Sequence, residues 1–204
     1  MYFYWTVLLV FLILIYYLQY SAQHEVKPLE PIETSRLSLR LWVLSDAEDL
    51  YEYAKNPIVG PRAGWPPHSA LEISKSIIQN FIEEKNVYAI ELKESGKVIG
   101  SVSLHNRCPE ESLKHLKQRE IGYVLNPDYW GQGYMPEAVA AVIDYCMTTM
   151  NLDILWCGHF VGNNNSRRVI EKSGFVYKFT KETNLPLMNN KKEQTLFYAI
   201  EKKH

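Results

Sequence analysis

Tyr129-Trp130-Gly131-Gln132-Gly133-Tyr134-Met135-Pro136-Glu137-Ala138 decides how this chain folds, because it carries an apolar strand into a long helix through two closely spaced glycines. Upstream, Glu120-Ile121-Gly122-Tyr123-Val124-Leu125 has the β-branched and aromatic content of a strand. Asn126-Pro127-Asp128 ends it, since proline removes a ladder donor. Downstream, Pro136 suits the first position of a helix running to about Met150, where its missing N–H would be unpaired anyway, and Glu137 offsets the positive end of the helix dipole. Gly131 and Gly133 lack Cβ atoms, so the backbone can approach a ligand closely, and the N–H groups from Gln132 to Met135 can converge on one point ahead of the helix. Phosphate oxygens bind well in such a place. A plain strand-to-helix turn would use the same glycines, and both readings stand. Two nucleotide motifs are excluded: no Gly-Lys-Ser/Thr follows, and the residue three after Gly133 is Pro136, where a dinucleotide fingerprint needs glycine.

The strand 120–125, the turn from Asn126 to Ala138 and the later run Asn163-Asn164-Asn165-Ser166-Arg167-Arg168-Val169-Ile170-Glu171-Lys172-Ser173-Gly174-Phe175 together resemble the GNAT acyltransferases, specifically their RimJ/RimL-like N-acetyltransferase branch. The resemblance covers about Glu33 to Ile200. It implies an α/β (α+β) domain with a central mixed, mostly antiparallel sheet flanked by helices, acetyl-CoA as co-substrate, and a primary amine as acceptor, with a protein N-terminal amine ahead of polyamines and other small amines. In that superfamily a Gln/Arg-x-x-Gly-x-Gly/Ala loop holds the CoA pyrophosphate through main-chain N–H groups, which implies Gly131, Gln132, Gly133, Tyr134 and Met135 here. Trp130 and Met135 depart from its first and last positions in a way usual for the RimJ/RimL-like branch, and Gly133 is retained.

The same resemblance distributes the chemistry. Glu120 faces the cleft as a general base acting through water, the main chain near Leu125 donates to the thioester carbonyl where the central strands splay, and Asn163 meets the pantetheine arm. Most of the superfamily protonates the leaving thiolate with a tyrosine that falls here on Ile170, so that tyrosine is absent; the RimJ/RimL-like serine falls on Ser166. Each has a plain alternative: a strand-end charge for Glu120, a helix N-terminal hydroxyl for Ser166. His105 and His159, near strand ends, are alternative bases. Arg167 and Arg168 meet adenosine phosphates or lie in solvent. The missing tyrosine and the apolar N-terminus leave a second function open, a catalytically inactive CoA-binding or membrane-tethered interaction protein.

The 204 residues and net charge of −1 allow one globular domain plus an appendage and argue against nucleic acid as a main partner. Cys108, Cys146 and Cys157 are an odd number without C-x-x-C spacing, which argues against a disulfide framework and a zinc site and fits a reducing compartment. No metal ligands are expected. Residues 2–18 form an apolar run broken only by Thr6, with Tyr and Trp at both ends, long enough to cross the roughly 30 Å hydrocarbon core of a membrane. The first basic residues follow it, which would leave the rest in the cytoplasm. A signal peptide fits less well, since no Lys or Arg precedes the run; a partner-docking helix and an over-extended start remain alternatives for residues 1–20. Residues 21–32, with Pro28 and Pro31, read as a linker to a domain spanning 33–204.

Within that domain, residues 37–43 alternate as a first strand, Ser45 or Asp46 caps a helix to about Lys55, and residues 69–84 carry a broad apolar helical face. Strands follow at 87–92 and 98–104, a polar loop at 107–117, a strand at 154–160, a helix from Asn163 to Ser173 closed by Gly174, and strands at 175–179 and 195–200 separated by a polar loop holding Pro186. The stiff loop 60–67 places Trp65 as a wall of the acceptor site or as a hydrophobic plug.

Overall fold

The computed structural model describes residues 28–202, so the apolar segment 2–18 lies outside the described residues. Among those described, no helix is long and apolar enough to cross a membrane. Eight strands form one sheet: β1 (Ile32–Glu33), β2 (Leu37–Leu41), β3 (Val87–Leu92), β4 (Lys97–His105), β5 (Gln118–Leu125), β6 (Ile154–Phe160), β7 (Val176–Leu185) and β8 (Lys191–Glu201). Their order is β1-β2-β3-β4-β5-β6-β8-β7, and every pair is antiparallel except β5 with β6. That one parallel pair follows from connectivity, because α3 (Tyr134–Thr148) carries the chain back across the sheet between them.

Period-two alternation sends the strand residues to two different cores. On one face Leu37, Leu39, Tyr88, Ile90, Leu104, Ile121, Leu155 and Cys157 pack under α3 and α4 (Asn164–Lys172). Met135, Ala138, Val139, Val142 and Cys146 recur at helical spacing along α3 and are its buried stripe. On the other face Val87, Ala89 and Val98 pack against α1 (Ala47–Ala54) and α2 (Leu71–Glu84) through Leu50, Tyr53, Ala54 and Ile78. Burial of each such aliphatic side chain contributes about 1.5–3 kcal/mol, which is why both faces of the sheet are covered.

The structure moves three boundaries. Residues 28–32 are packed rather than free linker: Leu29 is buried in the α3-side core, and the Tyr88 hydroxyl donates to the Glu30 carbonyl at 2.7 Å. Pro136 is the third residue of α3, not the first; the N–H it lacks is still one of those no helix can pair internally, so the site tolerates it. The polar stretch around Pro186 is mostly strand, since β7 and β8 form a long hairpin with only a short turn at Pro186–Met188. Its polar run hid it, because β7 lies at the sheet edge with most of its residues exposed.

Candidate functional site

The parallel pair ends early. β5 and β6 pair from Gln118↔Ile154 to Ile121↔Cys157 and then part, although β5 continues to Leu125 and β6 to Phe160. Each keeps its outer partner to the end, β4 for β5 and β8 for β6, so the gap is a V in an otherwise closed sheet. Glycine follows the last paired residue on both strands, Gly122 and Gly158, and adds no side chain to fill the opening. Asn126 N–H donates to the Ile99 carbonyl on the β4 side at 2.8 Å, and alternation then turns the Leu125 N–H toward the gap. The gap opens into a cleft of about 1330 Å³ whose walls include Glu120, Leu125, Gly131, Gly133, Tyr134, Met135, Asn163, Ser166 and Trp65. Gln132 is not on that wall: its side-chain amide donates to the Asp128 carbonyl at 3.0 Å, and its own carbonyl accepts from Arg36 Nη1 at 3.0 Å.

At the end of β5 the glycine turn is held by residues distant in sequence. Gly131 and Gly133 have φ of +77° and +82°, a region L side chains rarely adopt, and a Cβ on Gly131 would meet nothing within 4 Å. The backbone there is therefore shaped by conformation and leaves open space. The Glu137 N–H bonds to the Gly133 carbonyl as α3 begins, which leaves the amides of residues 131–135 without a main-chain partner among the described residues. Trp130 Nε1 donates to the Leu125 carbonyl at 2.9 Å and ties the turn to the splayed strand. Arg36 braces it from β2's side, paired with Glu137 Oε2 at 2.7 Å and lying over the Tyr134 ring at 4.3 Å. Glu137 also accepts from Thr34 and the Arg36 amide, so the role expected of it at the helix dipole is shared with anchoring the N-terminal strands.

The two faces of β5 present different chemistry to the cleft. Glu120 sits opposite His105 of β4, with Ser103 opposite Gly122, on the face that carries α1, α2 and Trp65. The Glu120 side chain is 17% exposed, and burial raises its carboxyl above the ordinary value while Arg107, 4.0 Å away, opposes that. His105 is pushed down to about 4 by burial and then by Arg107, and its Nε2 contacts Ser103 Oγ at 2.8 Å. A neutral imidazole with so low a pKa is a weak base. His159 has both ring nitrogens engaged, Nδ1 with the Phe160 carbonyl at 2.9 Å and Nε2 with the Tyr198 hydroxyl at 3.2 Å. Trp65 packs on the α1–α2 core, 5.2 Å from the His68 ring, and also lines the cleft.

On the opposite face stands a residue that sequence reading missed. The Tyr123 hydroxyl lies 3.0 Å from Ser166 Oγ and donates to the Ser166 carbonyl at 3.1 Å. Burial first, and then Cys157, holds that phenol well above its ordinary value, with the Ser166 contact opposing. Ser166 belongs to the first turn of α4, where its N–H donates to Asn163 Oδ1 at 3.3 Å, so Asn163 is the cap and the Ser166 hydroxyl is left to Tyr123. Asn163 Nδ2 reaches the Arg62 carbonyl at 3.4 Å. Ile170 is fully buried in the core and could not present a hydroxyl to the cleft. Parity was the only signal for Tyr123: it is odd-numbered on a strand whose even-numbered Glu120 faces the other way.

Residues 36–176 match the family model for the acetyltransferase (GNAT) domain. The chain is 32% identical over 130 residues to uncharacterized N-acetyltransferase p20 of Bacillus licheniformis, covering 61% of this chain and 70% of that protein. Among solved structures it resembles a GNAT-family acetyltransferase from Bacillus anthracis with a TM-score of 0.74 at 24% identity, over 84% of this chain and 98% of that one. It also resembles a ribosomal-protein-S5-alanine acetyltransferase from Vibrio fischeri with a TM-score of 0.64 at 22% identity, over 84% and 96% of the two chains.

Proposed function

Because the chain belongs to the GNAT acetyltransferase family and is an acetyl-CoA-dependent N-acetyltransferase, we propose that the V-shaped cleft is its active centre, with Glu120 serving the amine on one face and Ser166 with Tyr123 serving the thiol on the other. The observation that carries this is the early parting of β5 from β6, which opens the sheet between Glu120 on one face and Tyr123 on the other. Acetyl-CoA supplies an acetyl group activated as a thioester. The residues that would hold it are the main-chain amides of the turn, those of Gly131, Gly133, Tyr134 and Met135 on the cleft wall with that of Gln132 beside them, none with a main-chain partner among the described residues, together with Asn163. The Leu125 N–H, turned into the gap, donates to a carbonyl oxygen on which negative charge develops. Glu120 accepts the proton lost by the amine, through water, and Ser166, held by Tyr123, offers its hydroxyl hydrogen to a thiolate. Trp65 walls the acceptor side. The acceptor supported by the branch resemblance is a protein N-terminal amine.

Calorimetry on the full chain tests the binding half. Acetyl-CoA should bind, and Gly133→Val should weaken binding roughly tenfold or more, since a branched Cβ at φ +82° distorts the turn. Strain of about 1–2 kcal/mol should lower the melting temperature by only about 2–8 °C. An unchanged dissociation constant would mean the turn is architectural only. Thiol release with any amine of a broad panel removes the catalytically inactive alternative. For residues 2–18 we propose membrane anchoring, with the domain on the cytoplasmic side; deletion of residues 1–27 should release the protein from pelleted membranes, and an unchanged distribution would refute the anchor.

A further inference from the structure

The acceptor side of the cleft is lined by two cations, Arg107 and Lys181, and two carboxylates, Glu120 and Glu182, of which Glu182 is already neutralised by Lys192 outside the cleft. Arg107 stands 4.0 Å from Glu120, and Lys181 lines the same cleft. Arg107 follows β4 and is 65% exposed; its nearest carboxylate is Glu120 Oε2 at 4.0 Å, beyond hydrogen-bond reach, and it makes no hydrogen bond among the described residues. Lys181 lies on β7 opposite Thr195 of β8, and among the described residues its ammonium makes a single long hydrogen bond, 3.5 Å to the Pro109 carbonyl, two residues beyond Arg107. The other cleft charges are otherwise engaged. Glu182 is paired with Lys192 at 2.8 Å, and Arg62 lies over the Trp130 ring at 5.7 Å, toward the glycine turn. Arg168 and Lys172 belong to α4 on the opposite face. His105 and His68 are held toward the neutral form by burial. An amine whose nitrogen sits at Glu120 therefore meets Arg107, with Lys181 a second cation lining the same cleft. A polyamine would meet repulsion there, and a carboxylate would meet complementary charge.

We propose that the acceptor is an amine bearing a carboxylate within a few bonds of its nitrogen, and that Arg107 and Lys181 select it. This rests on the acetyl-transfer reading of the same cleft. A carboxylate of this kind comes either from an acidic residue just after a peptide's N-terminus or from a small amino acid, and the chemistry at the cleft is the same.

The test is thiol release from acetyl-CoA by the full chain with matched acceptors: the tripeptide amides Ser-Asp-Gly, Ser-Asn-Gly and Ser-Lys-Gly, glutamate against glutamine, and spermidine. The acidic member should lead its neutral match by roughly tenfold in kcat/KM, the combined effect of two partly screened charges. The lysine peptide and spermidine should rank last. In Arg107→Glu and Lys181→Glu that order should shrink or invert, with Arg107→Gln and Lys181→Gln intermediate and all four melting near the parent, because both side chains are exposed. A preference confined to peptides or to amino acids assigns the source of the carboxylate. If Arg107 acts only on the proton affinity of Glu120, the pH profile shifts equally for every acceptor and the ranking is untouched, which overturns the proposal. Equal or better rates with cationic acceptors overturn it too and leave acetyl transfer standing. Acetyl-CoA binding with no thiol release from any acceptor overturns both.

Discussion

Glu120→Gln should lower kcat by roughly 10²–10⁴-fold and leave acetyl-CoA affinity within a factor of about two, because a positioned general base contributes on that scale and the substituted atom is remote from the glycine turn. The pH dependence gives the sharper signature. Burial raises the Glu120 carboxyl, so in the parent enzyme the base is created as pH rises through that raised value, and kcat/KM climbs with it. Glutamine cannot titrate. The variant should therefore lose that limb and keep only the dependence set by the acceptor amine's own deprotonation. The two histidines are the alternatives the sequence offered: His105 is pushed down to about 4 by burial and Arg107, and both ring nitrogens of His159 are engaged. A Gln variant with parental rate and an unaltered acidic limb would nevertheless bring them back. Melting should not fall, since replacing a buried charge that burial disfavours with a neutral isostere removes a cost.

How much of this was readable from the chain varied with sequence distance. The strand-turn-helix from Glu120 to about Met150 is local, with each residue's propensity agreeing with its neighbours, and the structure shifts its element ends by about two residues, the strand starting at Gln118 and the helix spanning Tyr134–Thr148. The β7–β8 hairpin was half missed, because an edge strand carries polar residues where a central strand carries apolar ones. Arg36 could not be assigned to the turn at all: its partners Glu137 and Gln132 are about a hundred positions away, and nothing in a local window marks a guanidinium as theirs. Tyr123 shows the same limit more sharply. The helical tyrosine of the superfamily pattern falls on Ile170, and its absence left Ser166 as the thiol-side residue of the resemblance and an inactive protein as the alternative. The fold brings a phenol to Ser166 from the central strand, across 43 positions of sequence.

Tyr123→Phe should lower kcat by roughly ten- to a hundredfold, with a smaller change in KM for acetyl-CoA, if that phenol and Ser166 act together on the leaving thiol. The hydroxyls are 3.0 Å apart and the phenol also donates to the Ser166 carbonyl, so phenylalanine removes one polar atom, keeps the ring, and leaves Ser166 Oγ without its partner. Ser166→Ala should have a similar effect. The double variant should be little worse than the worse single one, since each substitution already breaks the pair. A purely structural hydrogen bond predicts something else: about 1 kcal/mol of lost stability, additive effects and an unchanged kcat. Because burial holds the Tyr123 phenol well above its ordinary value, it stays protonated through the working range and acts as a donor throughout. The Phe variant should therefore keep the acidic limb that Glu120→Gln loses, so the pH profile separates the two faces of β5. Leaving-group chemistry closes the argument. A thioester whose thiol is more acidic needs less help as it departs, so the Tyr123→Phe defect should shrink with such a donor while the Glu120→Gln defect does not. Equal defects with both thioesters would remove Tyr123 from the thiol side of the reaction.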